Sequence, residues 1–99
     1  MDRDRIAVVI PVYNHERKVA KVIGEALKLN LPIFVIDDGS TDSTYDRIKD
    51  IPSITIIRHG VNKGKGATLM TGFAAAAASA DWVVPSMPTV NTILKMRVI

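Results

Sequence analysis

Asp37 and Asp38 stand side by side at the end of a short apolar run, Ile33-Phe34-Val35-Ile36. Four apolar residues of this kind read as a strand buried on both faces. In an open parallel sheet, ligands bind at the carboxyl ends of the strands. Carboxylates there disfavour phosphate, but they accept hydrogen bonds from a base N–H or a ribose hydroxyl. Gly39 permits a sharp turn, and Ser40, Thr41 and Asp42 are good N-caps for a helix over Ser43 to Lys49. The plainer alternative is that both acids only cap that helix and favour its positive N-terminal dipole.

Two further segments carry residues fit for ligand contact. Asn62-Lys63-Gly64-Lys65-Gly66 places glycines and lysines ahead of a helix, an arrangement that attracts anions. Its spacing is not that of a Walker A loop, and no G-x-G-x-x-G follows the first strand. Glycines before a helix are also ordinary turn chemistry. In Pro11-Val12-Tyr13-Asn14, Pro11 sets the exit direction of the chain, and Tyr13 offers a ring that can stack on a base or pack at the sheet edge. His15 and His59 have no acid or histidine at ligand spacing and read as surface residues. Ser40 and Ser43 have no histidine in a triad pattern.

These segments need a scaffold, and the pattern supplies strand, helix, strand, helix, strand, helix, strand. Ile6 to Val12 is an apolar strand. From Glu16 to Leu29, the residues Val19, Val22, Ile23, Ala26 and Leu27 recur at helical spacing, and Asn30 and Pro32 stop the helix. Pro52 opens a strand over Ile54 to Arg58, and Ala67 to Ser79 is an alanine-rich helix with Met70, Phe73 and Ala77 on one face. Asp81-Trp82-Val83-Val84 starts a fourth strand. Such alternation predicts an α/β fold, a Rossmann-like three-layer sandwich with a mostly parallel sheet and right-handed crossovers.

Composition bounds the function. The 99 residues are 47% hydrophobic with a formal net charge of +3 and no cysteine, which fits one small domain without disulfides or thiolate metal sites. The basic residues are scattered, so a nucleic-acid partner is not expected. The charged start Met1-Asp2-Arg3-Asp4-Arg5 leads straight into a strand, with no signal peptide in view. No apolar run approaches the roughly 20 residues that span a bilayer. The expected location is cytoplasmic.

Taken together, the segments resemble the amino-terminal nucleotide-binding half of family-two glycosyltransferases with the GT-A fold. The resemblance is carried by Val9 to Asn14, by Val35 to Asp42, and by Asn62 to Ala67 with Thr71-Gly72-Phe73. The last motif is most similar to the polyprenyl-phosphate (dolichol-phosphate) sugar transferase branch. The resemblance implies a nucleotide-diphospho-sugar partner, a UDP- or GDP-sugar. It implies that Asp38 binds the base, with Pro11, Tyr13 and Asp37 shaping the pocket and Asn62, Gly64 and Lys65 beside the nucleotide. It also implies Mg²⁺ or Mn²⁺ as cofactor, and peripheral membrane association for a full-length relative. No catalytic residue is assigned.

The departure comes after Val84. The family continues with an acidic segment, typically Thr-Ile-Asp-Ala-Asp-Gly-Gln-His, whose carboxylates hold the divalent metal that stabilises the leaving group. Here Pro85 to Ile99 contains no Asp or Glu. Back-translated and read one base earlier, Met87 into Pro88 forces alanine, while Ser86 into Met87 and Pro88 into Thr89 both allow aspartate. Asn91 into Thr92 permits only His or Tyr, and the whole shifted frame can spell the family's acidic segment followed by Asn-Pro-Glu-Asp-Ala. The expectation is a one-base deletion near Pro85, giving a nucleotide-sugar-binding part over residues 1–84 and an aberrant tail over 85–99. A divergent natural terminus is the alternative. The isolated chain is expected to be inactive and to pair with itself, as a homodimer, through exposed sheet surface. A reading from another class, a non-catalytic nucleotide-binding or self-associating module, stays open, and a receiver-like or dinucleotide-binding domain is disfavoured.

Overall fold

The computed structural model describes residues 6–77, 82–85 and 96–97. The elements run β1 (Ile6–Val12), α1 (Val19–Leu27), β2 (Ile33–Asp37), α2 (Thr44–Ile48), β3 (Thr55–Arg58), α3 (Lys65–Ala76), β4 (Trp82–Pro85) and β5 (Met96–Arg97). They build one sheet in the order β3-β2-β1-β4-β5. The first four strands are mutually parallel, and β5 joins β4 antiparallel. This is the mostly parallel α/β sheet that the alternating pattern implied.

Strand side chains alternate between two faces, and each face has its own cover. Val8, Ile10 and Val12 of β1 and Ile33 and Val35 of β2 pack with Val19, Ile23 and Ala26 of α1 and Ile48 of α2. Ala7 and Val9 of β1 and Ile36 of β2 pack on the other face with Ala76, Leu69 and Phe73 of α3. The result is the three-layer sandwich. Each fully buried Val or Ile contributes about 1.5–3 kcal/mol relative to exposure, so β1 and β2 dominate the stability of the fold. Pro11 sits within β1, paired in register with Ile36. Pairing of β1 with β4 is confined to Ile6–Val9, so the missing N–H of Pro11 lies beyond that ladder.

Several element boundaries differ from expectation for identifiable reasons. Helix α1 begins at Val19 rather than Glu16, and the N–H groups of residues 14–16 are bonded to Ser40, Thr44 and Asp42 across the strand ends. The helix ends at Leu27 rather than Leu29, with Lys28 as its C-cap, and Asn30 just beyond takes a left-handed conformation with φ of 56°. Helix α3 begins at Lys65, ahead of Ala67, and its inward face is not the one containing Met70 and Ala77. Met70 is 67% exposed, whereas Thr68, Gly72 and Ala76, four residues apart, are buried. A Cβ added at Gly72 would lie 2.3 Å from Val9 Cγ1, so small residues let the helix lie close on the sheet. Strand β4 includes Pro85 as its last residue, and Met96–Arg97 pair with Trp82 and Val83. Proline is tolerated at a strand end, where little pairing is interrupted. The remainder of the expected tail, and Asp81, lie outside the described residues.

Candidate functional site

The carboxyl ends of β1, β2 and β3 converge with the start of α3, and Asp38 is the centre of that convergence. Its own N–H donates to the Val12 carbonyl at 2.9 Å, tying the end of β2 to β1. Its side chain is almost wholly buried and accepts from three donors. His59 Nδ1 lies 2.7 Å and the Lys63 N–H 2.9 Å from Oδ1, and the Gly64 N–H lies 2.9 Å from Oδ2. Burial raises the pKa of this carboxyl, but hydrogen bonding from His59 first, then Lys63, Gly64 and the Thr68 side chain, outweighs it and holds the value below the ordinary one. An ionised carboxylate only accepts, so Nδ1 of the ring carries a proton and donates it to Asp38. His59 Nε2 is hydrogen-bonded to the Thr71 hydroxyl at 2.8 Å.

His59 is therefore not a surface residue. It is buried at the end of β3, where its N–H donates to the Asp37 carbonyl at 2.9 Å. Sequence spacing missed it because its acid partner is 21 residues away. The usable signal was register: Asp37 pairs with Arg58, so the next residues, Asp38 and His59, leave neighbouring strands side by side. Thr71, His59 and Asp38 follow the order of a hydrolytic triad. The neighbouring N–H donors, Lys63 and Gly64, point at Asp38 itself and so cannot form an oxyanion site.

Asp37 faces a different environment. One oxygen accepts the Ser40 N–H at 3.0 Å, closing the turn at Gly39. The other lies 3.3 Å from Arg58 Nε, an ion-pair distance without hydrogen-bond alignment. The Arg58 guanidinium also lies over the Tyr45 ring, 4.0 Å from its centre. Gly39 has φ of 74°, and a Cβ there would meet the Val61 carbonyl carbon at 2.5 Å and Asn62 N at 2.6 Å. Gly39 thus serves a close approach of two loops as well as a turn.

Ser40, Thr41 and Asp42, expected as caps of α2, instead fasten the loop after β2 to the loop after β1. Ser40 Oγ accepts the Asn14 N–H at 2.9 Å, and Asn14 Oδ1 accepts the N–H groups of Thr41 and Asp42 at 2.8 and 3.3 Å. Asn14 takes φ of 51° to make these bonds. Asp42 accepts the Glu16 N–H and both the N–H and hydroxyl of Thr44, while Thr44 Oγ1 accepts the His15 N–H. Burial raises the Asp42 pKa, and these bonds, those of Thr44 foremost, outweigh it and lower the value. Helix α2 itself starts at Thr44, and its N-cap residue Ser43 makes no side-chain cap bond.

The expected site residues thus fall into two groups. Pro11, Asp37 and Asp38 are buried in the framework. Tyr13, 41% exposed, together with the exposed Asn62 and Lys65 and the partly exposed Gly64, surrounds the same strand ends and faces solvent. Gly64 adopts φ of 95° at the start of α3. The arrangement offers one open aromatic ring, lysines and a helix start above a buried acid pair, which suits a ligand with a flat base and an anionic group.

This architecture defines an α/β protein of the GT-A type. The model of "Glycosyl transferase family 2" matches residues 7–85, and the chain belongs to that family. It is 31% identical over 80 residues to the dolichol-phosphate mannosyltransferase of Pyrococcus furiosus, covering 74% of this chain and 23% of that protein. It is 30% identical over 84 residues to the UDP-N-acetylglucosamine–dolichyl-phosphate N-acetylglucosaminyltransferase of Methanococcus voltae, covering 68% of this chain and 34% of the relative. A mannosyltransferase from Pyrobaculum calidifontis, solved with GDP-mannose and Mn²⁺, superimposes with a TM-score of 0.77 at 22% identity. That match covers 88% of this chain and 28% of the other. The chain therefore spans between about a quarter and a third of the length of these proteins.

A divalent metal of the kind the family resemblance implies does not fit the described residues. Three N–H donors occupy Asp38, and Asp37 faces the Ser40 N–H and Arg58. Among the described residues, no group of three or more His, Asp or Glu is placed to hold a metal ion. No helix among them is long and apolar enough to cross a membrane.

Proposed function

We propose that this chain is the donor-nucleotide part of a sugar transferase, binding a UDP- or GDP-sugar for transfer to an acceptor such as a polyprenyl phosphate. The observation that carries the reading is the convergence of Tyr13, Asp38 and the Asn62–Lys65 turn on one end of the sheet, held there by Asp38. Pro11, Tyr13, Asp37 and Asp38 shape the base side of the pocket, and Asn62, Gly64 and Lys65 lie beside the nucleotide. Family membership and the names of the dolichol-phosphate relatives support the donor and acceptor classes.

The transfer this implies is a single displacement. An acceptor oxygen forms a bond to the anomeric carbon, the bond to the nucleotide diphosphate breaks, and the leaving group departs with the charge. The chain supplies base recognition in that reaction. Its 85–99 segment is the product of a one-base deletion near Pro85 that replaced the acidic segment, so the isolated chain binds donor without transferring sugar. Equilibrium dialysis against UDP-glucose and GDP-mannose tests the binding, and retention of neither sugar nucleotide rejects it. The bases encoding Pro85 to Arg97 test the tail: if they do not spell the acidic segment in the shifted frame, the deletion is ruled out.

A further inference from the structure

The Gly60–Gly64 turn has little apolar burial to hold it. Gly60, Val61, Asn62 and Lys63 are all exposed, and Val61 is 65% exposed. What fixes the turn is polar: its Lys63 and Gly64 N–H groups grip the two oxygens of Asp38, and its Val61–Asn62 peptide lies against Gly39. The orientation of the Asp38 carboxylate therefore decides where the turn sits. That orientation is set by His59, which donates to Oδ1 and is itself held by β2 through its N–H and by α3 through Thr71.

We infer that His59 is a positioning residue of the donor site, locking the Asp38 carboxylate and so the Lys63–Gly64 turn beside the nucleotide. This rests on the donor-site reading above. An ionised carboxylate offers about four acceptor positions, and three N–H donors already occupy Asp38. At most one remains for a ligand, so the main work of Asp38 is internal. Without His59, Oδ1 loses its imidazole donor, and the carboxylate is free to rotate away from the geometry that both turn amides require. Thr71 belongs to the same unit, because its hydroxyl fixes the far side of the ring.

Amide hydrogen exchange at Lys63 and Gly64 and calorimetric titration with UDP and GDP test this on the 99-residue chain. His59→Ala is expected to speed exchange at both amides and to weaken nucleotide binding roughly tenfold or more, the weight of a bond to a charged group. His59→Asn, whose side-chain N–H₂ takes the place of Nδ1–H, is expected to recover both. Thr71→Val shifts them in the same direction by less, and it remains informative if His59→Ala fails to fold. Unchanged exchange at Lys63 and Gly64 in a folded His59→Ala or Thr71→Val variant overturns the inference, as does failure of His59→Asn to restore it. If the amides respond but neither nucleotide binds the wild type, the donor-site reading fails and the His59–Asp38 linkage stands.

Discussion

The imidazole Nδ1 of His59 lies 2.7 Å from Oδ1 of Asp38, joining the ends of two adjacent strands in the buried floor of the site. The loop carrying Asn62, Lys63 and Gly64 hangs from the same carboxylate. The Asp38 carboxylate thus does structural work at the strand end, and the proposed recognition of a nucleotide can be separated from it by experiment.

Acid should weaken the fold through Asp38 and Asp42. Both carboxyls are held below the ordinary aspartate value of 3.8, so their folded-state pKa is lower than in the unfolded chain. Their contribution is fully present above that value and is lost as pH falls from there through the lower folded values. Thermal unfolding followed across this range should show a steeper acid loss in the wild type than in Asp38→Asn or Asp42→Asn. Equal slopes would remove both groups from the account.

Two glycines should be intolerant of a methyl group for different reasons. Gly72→Ala drives a Cβ against Val9 and should cost about 1–3 kcal/mol by overpacking. Gly39→Ala meets backbone of Val61 and Asn62 at positive φ, so it should be destabilising and should also displace the loop. Denaturant titration reports the first effect. Nucleotide titration should separate them, with Gly39→Ala losing affinity and Gly72→Ala, once folded, retaining it.

The layers were legible because β1 and β2 are continuous apolar runs bounded by turn residues, and α1 has a clear stripe of Val19, Ile23 and Ala26. Helix α3 was legible as a helix but not in its facing. Its buried side is Thr68, Gly72 and Ala76, so hydropathy favoured the exposed Met70, and only the close packing on Val9 explains the choice. At the site, the acids and the glycine-rich turn stood out as residue types. The bonds of Asp38 to His59, and of Asn14 to Ser40 and Thr41, join segments more than 20 residues apart and depend on strand register.

Divalent metal should add little to nucleotide affinity in this chain. Hard cations need several oxygen ligands, and the carboxylates of Asp37 and Asp38 are engaged with N–H groups and Arg58. Titrations of GDP with and without Mn²⁺ or Mg²⁺ should agree within a few-fold. A large metal-dependent gain would mean that other acids supply the ligands.

Self-association is expected as well. Strand β3 is an edge of the sheet, and the exposed Val61 and Met70 add apolar surface. Sedimentation velocity should show a concentration-dependent dimer or larger species. A stable monomer at high concentration would contradict this.

The most direct measurement is calorimetric titration of UDP and GDP into the wild-type chain and into Asp38→Ala. The wild type is expected to bind weakly but measurably, and the variant not at all. Each buried donor left without its acceptor costs about 1–3 kcal/mol, and the turn beside the nucleotide loses its anchor. Equal binding by the two proteins, or none by the wild type, would contradict that expectation.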